Sequence, residues 1–299
     1  MSIPMLKGVH RRALGISKDN QVMAPDGLVS GGDGKPSIVF PSPDTVAVFD
    51  DFSLALIQAV DTGVPIGQGA FYQVTGDTGH GSLNVASATN GVFRLFNTPS
   101  ATATAVGASG KGISGPLAWK GNQGPGSKSG RLRLAARVKV LPDDGGSAIS
   151  RTLNRLHAFI GFTDIASFEY PAYDTGAGII SNASDYCGFM LAAGGDTGWS
   201  AVAAGSTAGD SGDVALSLDA TRPVVNTYDV LEMEIHRGIS DTGGTVNFFI
   251  NGVPKGSMDS PFSETVALAP CVYAFQQDTG KQALDIDWIN VSAPRDTGQ

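Results

Sequence analysis

YDVLEMEIHRGISDTGGTVNFFINGV, residues 228–253, consists of two alternating runs on either side of a glycine-containing turn. Successive side chains of a strand point to opposite faces, so Leu231, Met233 and Ile235 share one face and Glu232, Glu234 and His236 share the other. The second run, Thr245 to Asn251, sets Val246, Phe248 and Ile250 on one side, and Asn251-Gly252 is a tight-turn signal leading into Val253-Pro254. The stretch predicts a long β-hairpin with one face in a core and one in water, and with it an antiparallel sheet protein.

The rest of the chain agrees with that reading. Its 299 residues can bury a full core, and 40 glycines and 16 prolines punctuate short apolar runs while only 16% of residues are charged. No apolar period of 3.6 lasts for a normal helix length; the only short helices the pattern allows are Ser53–Val60 and Ser150–His157, and the second of these could equally begin a strand. A net charge of −8 and a pI near 4.9 argue against nucleic acid as a partner, because phosphate calls for a basic face. The N-terminus carries no apolar signal-peptide core, and no run approaches the roughly 18 apolar residues of a membrane span. Cys187 and Cys271 both sit inside apolar runs and read as small buried hydrophobes in a reducing compartment.

Residues 1–48 differ from the remainder of the chain. They are rich in glycine and proline, hold no long alternating run, and read as an extended arm before a sandwich domain at 49–299. The arm's first 18 residues carry Lys7, Arg11, Arg12 and Lys18 with no acid, so a basic end is set against an acidic body. Beyond it, Ala70–Thr75, Ser82–Ala86 and Gly91–Asn97 read as a meander, and residues 107–130, with eight glycines, as a loop. Arg131–Val140 is the clearest strand. Leu132, Leu134, Ala136, Val138 and Val140 alternate with Arg131, Arg133, Ala135, Arg137 and Lys139, which gives the outer face a basic stripe, either paired with carboxylates on the next strand or open to an anionic partner. Leu156–Thr163, Tyr186–Ala193, Trp199–Ala204, Val214–Leu218, the 228–253 hairpin, Cys271–Gln276 and Leu284–Val291 complete about a dozen strands. Alternation without a βα rhythm implies two antiparallel sheets face to face, with the first and last strands near each other.

The order of Asp50-Asp51-Phe52, RLRLAARVKV at 131–140, LHAFIGFTD at 156–164, DYCGFML at 185–191, the EMEIHR…TVNFFINGVPKG hairpin and ALDIDWINV at 283–291 resembles the concanavalin A-like jelly roll of lectins, laminin-G-type modules and glucanases, over about residues 49–293. What the resemblance implies is a two-sheet antiparallel jelly-roll sandwich. Domains of this look behind a short arm are frequent among structural proteins of tailed phages, which this chain resembles; a fold alone does not assign that role.

Three constellations have chemical content. Asp-Thr-Gly occurs at Asp61, Asp77, Asp174, Asp196, Asp241, Asp278 and Asp296, but only Asp174 is followed by the small residue an aspartic-protease motif carries, and Asp with Gly two positions on forms turns. Glu232, Glu234 and His236 line one strand face about 7 Å apart, and the strand resembles the acidic strand of jelly-roll glucanases, where two carboxylates act as acid and nucleophile. It departs from that motif in having Glu for the middle Asp and His at the last position, and aromatic subsites are sparse, with Trp119, Trp199 and Trp288 the only tryptophans. The bland alternative is a solvated strand face. Asp143-Asp144 and Asp210–Asp213 are the best loops for Ca²⁺ but lack full ligand spacing; the four histidines, His10, His80, His157 and His236, are scattered; and GASGKG at 107–112 lacks the phosphate-loop pattern. No metal and no cofactor are expected.

These readings predict a non-enzymatic virion structural protein, a capsid decoration or cement protein made in the host cytoplasm and docked on the major capsid protein or another virion protein through Lys7, Arg11, Arg12, Lys18, Leu6, Leu14 and Ile16. Arg131, Arg133, Arg137 and Lys139 form a secondary surface, and a homotrimer is expected from shell symmetry. The alternatives are a glycan-binding tail or fibre module and a glycan hydrolase.

Overall fold

The computed structural model describes residues 29–30, 36–37, 45–50, 52, 65–66, 72–76, 80–84, 91–97, 110–115, 119–120, 131–141, 156–165, 171–174, 179–192, 198–205, 214–219, 221–237, 244–260, 266–276 and 283–294. Within them the chain is all-β, without a helix.

Alternation builds two layers. In the first, which we term the hairpin sheet, Arg131–Val140 lies at the centre, paired on one side with Tyr228–Arg237 and on the other with Ala283–Pro294. The predicted hairpin extends it outward through Gly244–Ile250 to Val253–Ser260, while Phe93–Asn97 and His80–Asn84 extend it the other way. The opposite sheet runs Val214–Asp219, Trp199–Ala204, Tyr186–Leu191, Leu156–Thr163, Ala267–Gln276, Gly110–Ser114, Tyr72–Gly76, Pro65–Ile66. Every pairing is antiparallel. Leu134, Met233 and Phe248 from one sheet meet Ile160, Phe189 and Ala201 from the other in a continuous core, and Phe189 stands edge-on to Phe248 with ring centroids 5.2 Å apart.

The hairpin turn forms as the sequence requires. Asn251 and Gly252 take φ of 53° and 76°, the pair of positive values a type I′ turn demands. The side chain of Asn251 also accepts a hydrogen bond from the Val230 amide at 2.8 Å. After the separate two-residue pair Val29–Ser30 and Pro36–Ser37, the first strand of the sandwich and its last are neighbours, as expected: Thr45–Asp50 pairs with Ile289–Pro294. That strand begins four residues before the 48/49 boundary drawn from composition, so residues 45–48 belong to the sheet.

Two expectations are corrected. Tyr72–Gly76 joins the opposite sheet while His80–Asn84 and Phe93–Asn97 join the hairpin sheet, so the three do not form a meander. Residues 107–130 are not all loop, because Gly110–Ser114 pairs with Ala267–Gln276 on one edge and Tyr72–Gly76 on the other, and Trp119–Lys120 pairs with Ala267 and Leu268. Ladder hydrogen bonds on both edges outweigh the weak strand propensity of glycine, and with Gly110–Gly112 in a strand GASGKG is no phosphate loop. Of the two allowed helices, Ser53–Val60 lies outside the described residues; so do residues 150–155, while Leu156 and His157 open a strand. Cys187 and Cys271 are buried free thiols, and burial pushes both thiol pKa values well up, as inert core cysteines require.

Candidate functional site

The outer face of the hairpin sheet holds the acidic strand and the basic stripe, and the register decides their chemistry. Arg133 sits opposite Glu234 in the ladder. Its guanidinium donates to Glu232 Oε1 and lies 3.8 Å from Glu234 Oε1, so one cation spans both carboxylates. His236 Nε2 is 3.1 Å from Glu234 Oε2. Further along, Arg137 pairs with Asp287, Arg94 makes a two-pronged contact with Asp285 at 2.6 and 2.9 Å, and Lys139 lies 3.4 Å from the same carboxylate. Asp287 is the extra residue of a bulge where Arg137 opposes Trp288 and Val138 opposes Ile286. Tyr228 completes the patch, with Arg137 4.1 Å and Lys139 4.8 Å from its ring centroid. Arg133, Arg137 and Lys139 of the stripe are therefore paired with carboxylates on the neighbouring strands, the first of the two options the sequence left open. Arg131 stands opposite His236 in register.

Glu232 overturns the reading of a solvated face. Only 7% of it is exposed. Burial raises its carboxyl pKa and the neighbouring Glu234 charge adds to that, while the ion pair with Arg133 opposes it. A raised carboxyl is what a general acid needs, but Glu232 is already the hydrogen-bond acceptor of an arginine, which also sits on the second carboxylate. The geometry makes an ion-pair cluster of Arg133, Glu232 and Glu234.

A second polar group escaped the sequence reading. Asp229 is 1% exposed; its Oδ2 accepts from the Trp199 indole at 3.3 Å, and its Oδ1 accepts from Asn251 Nδ2 at 2.9 Å and from Arg222 Nη1 at 3.2 Å. This buried junction ties the hairpin turn to a strand of the opposite sheet. Its signal was parity, since Asp229 stands two residues before Leu231 on the inward side of an alternating strand.

The outer face of the opposite sheet carries an apolar cluster, with His157, Thr163 and Ser200 also buried on its strands. Phe159, Tyr186, Met190, Val202, Cys271 and Tyr273 form that cluster. Ile165, Ala172, Ile179 and Ala183, from the described parts of the excursion between Thr163 and Tyr186, two residues directly opposite each other in the ladder, join it. The ends of the excursion are clasped by a hydrogen bond from the Asp164 amide to the Asp185 carbonyl at 2.9 Å and by another from the Ser184 amide to Asp164 Oδ1 at 3.2 Å. Burial, with the Asp185 charge beside it, raises the Asp164 carboxyl.

Among the described residues no group of three or more His, Cys, Asp or Glu side chains could hold a metal ion. Asp143, Asp144, Asp210 and Asp213 lie outside them, as do Leu6, Lys7, Arg11, Arg12, Leu14, Ile16 and Lys18 of the arm. Asp174 ends the short strand Ala172–Asp174 and sits opposite Ile179 in its ladder, while Thr175 and Gly176 of that Asp-Thr-Gly lie outside the described residues.

No protein-family model matches the sequence, and no characterised protein matches it either. Solved structures do. An endo-1,3-beta-glucanase from Streptomyces sioyaensis aligns over 87% of this chain and 100% of its own, at 14% identity and a TM-score of 0.54. An alginate lyase in complex with an alginate trisaccharide aligns over 84% of this chain at 10% identity and a TM-score of 0.49, covering 98% of its own. Peanut lectin aligns over 84% of this chain and 97% of its own, at 10% identity and a TM-score of 0.40. At such identities the likeness is one of fold: the chain is a two-sheet antiparallel jelly-roll sandwich of the concanavalin A-like type.

Proposed function

We propose that this chain is a non-enzymatic structural protein, a decoration or cement protein of a tailed-phage virion, whose sandwich is held on the major capsid protein or another virion protein by its basic N-terminal arm. The observation that supports the non-enzymatic part is Arg133 bound to Glu232 and 3.8 Å from Glu234, a cation set between the two carboxylates that an acid-and-nucleophile pair would need. The arm's role draws support from charge, since its early cations would be steered toward an acidic surface while the body repels nucleic acid. Its root is firm as well: from Thr45 the chain is built into the sheet against the C-terminal strand.

Deleting residues 1–40 spares that strand. The truncated protein should keep a β-rich circular dichroism spectrum and a cooperative melt, while losing affinity for undecorated particles. Unchanged affinity would remove the arm as anchor. The stripe of Arg133, Arg137 and Lys139 is a poor substitute, because each is matched by a carboxylate of its own face. Retention on a polysaccharide column, or reducing sugar released by the intact protein and lost in Glu232→Gln, would replace this proposal with the glycan readings.

A further inference from the structure

Asn-Gly occurs twice in the chain, at 90–91 and at 251–252. In this dipeptide the side-chain carboxamide is unusually open to attack by its own backbone, because the following glycine puts no Cβ beside its nitrogen. Asn251 and Gly252 are exposed, so water reaches the turn. The carboxamide of Asn251 is nevertheless held at both ends. The Val230 amide donates to Asn251 Oδ1 at 2.8 Å, and Asn251 Nδ2 donates to Asp229 Oδ1 at 2.9 Å. Its backbone is tied as well, since the Asn251 amide donates to the Val230 carbonyl at 2.8 Å. Asp229 is itself fixed inside the sandwich, 1% exposed and accepting from the Trp199 indole and from Arg222. The turn alone asks for none of this, because Asp-Gly makes a type I′ turn as Asn-Gly does. A carboxylate at 251 would instead carry an acceptor to the place where Asp229 needs a donor. The junction thus distinguishes an NH2 group from an oxygen, which is the difference that deamidation makes.

We propose that Asn251 is a modification site, a deamidation switch that the Asp229 junction holds off while the turn is closed and makes irreversible once the reaction has occurred. The chemistry needs only the chain and water. The Gly252 amide nitrogen attacks Asn251 Cγ and gives up its proton, the bond from Cγ to Nδ2 breaks, and ammonia leaves behind a cyclic imide. Water then opens the ring to aspartate or to isoaspartate, with no change of oxidation state. To present Cγ to the Gly252 nitrogen, the carboxamide must swing back over its own backbone, which it cannot do while Val230 holds Oδ1 and Asp229 holds Nδ2. Local opening of the turn releases both bonds together. Either product keeps the junction from re-forming. Aspartate sets a second carboxylate against the buried Asp229, and two carboxylates in one site disfavour each other's charge. Isoaspartate also lengthens the main chain by a methylene inside a tight turn that requires φ of 53° and 76°. The hairpin then loses its tie to Trp199 of the opposite sheet, so a change at an exposed turn is felt between the layers.

Peptide mapping by mass spectrometry of the full chain, aged in warm and mildly alkaline buffer, tests the switch. Asn251 should convert at least about tenfold more slowly in the folded protein than in the same protein unfolded in urea, because the reaction waits on local opening. Asp229→Ala removes the acceptor of Nδ2 and should speed conversion at 251 in the folded protein while leaving the rate at Asn90 unchanged. Asn251→Asp, the aspartate product made directly, should keep the circular dichroism spectrum and unfold at a clearly lower urea concentration than the natural protein. The exchanged pair, Asp229→Asn with Asn251→Asp, puts an NH2 back between the two side chains and should unfold later than Asn251→Asp alone. Should Asp229→Ala fail to fold, the folded and unfolded rates of the natural protein and the Asn251→Asp midpoint decide the matter. Equal rates at 251 in the folded and unfolded chain overturn the proposal. So does a folded Asp229→Ala protein with an unchanged rate at 251, an Asn251→Asp midpoint equal to the natural one, or an exchanged pair no more stable than Asn251→Asp.

Discussion

The two outer faces of the sandwich solve the same problem with opposite chemistry. On the hairpin sheet the face is a mosaic of four cations and four carboxylates, Arg94, Arg133, Arg137 and Lys139 against Glu232, Glu234, Asp285 and Asp287, each within reach of an opposite charge. The opposite sheet carries an apolar cluster on its outer side, where Ile165, Ala172, Ile179 and Ala183 pack with Phe159, Tyr186 and Met190. The difference teaches that a carboxylate pair on a jelly-roll strand is not by itself an active site. Its chemistry depends on what the next strand brings opposite it, and here that is an arginine.

The largest effect is expected on the opposite sheet. Gly161 and Gly188 are directly opposite each other in the ladder, and a Cβ on Gly161 would come within 2.1 Å of the Cys187 carbonyl oxygen and 2.6 Å of Gly188 Cα, backbone atoms that cannot swing aside. Gly161→Ala should cost more than about 3 kcal/mol or prevent folding, read by urea denaturation; a loss under 1 kcal/mol, roughly the ordinary range for a surface change, would mean that the strands separate there easily.

On the charged face, Arg133→Ala strands Glu232 in a buried site without its cation and should cost about 3 kcal/mol at neutral pH. Adding Glu232→Gln should restore most of it, and Glu232→Gln alone should change stability by less than about 1 kcal/mol. The sign with pH comes from the raised carboxyl: its favourable contribution is complete below the ordinary value of 4.5 and is lost as pH rises through the higher folded value. The penalty of Arg133→Ala should therefore shrink in acid, and an unfolding series from pH 3 to 7 that shows a constant penalty would contradict the burial argument.

The cysteines sharpen the comparison further. Cys271 lies in the cluster that the excursion joins, whereas Cys187 belongs to the core between the sheets. Under native conditions Cys271 should be labelled by a thiol reagent at least about tenfold faster than Cys187, through local opening of that cluster. Equal rates would show that the cluster opens only when the whole sandwich does.

The smallest effect belongs to Asp219, at the rim, whose carboxyl is held down to about 2 by Lys255, 2.6 Å away, and by Thr221. Its stabilisation is full above the ordinary value of 3.8 and is lost as pH falls through about 2. Asp219→Asn should cost about 0.5–1 kcal/mol at neutral pH, and the gap from the natural protein should close toward pH 2. A gap of the same size at pH 2 would assign the effect to packing instead of charge.

What was legible in the sequence was whatever depends on neighbours along the chain. Alternation in 131–140, 228–237 and 244–250 sorted inward from outward residues correctly, and Asn251-Gly252 announced its turn, because the twofold period of a strand and the φ demands of a tight turn are local properties. The glycine-rich strand at 110–114 was hidden, since its stability comes from ladders to residues 73–76 and 271–275 and not from its own propensity.

By itself the sequence determined an all-β sandwich, its core residues, its adjacent terminal strands, and a face carrying Glu232, Glu234 and a row of cations. Only the tertiary structure decided that Arg133, 99 positions from Glu232, would bind it, that Glu232 would be buried, and that Asp229 would join the hairpin turn to Trp199. The physical reason is that strand periodicity is written in consecutive residues, whereas register, burial and the charges that meet across strands arise only when distant segments pair and exclude water.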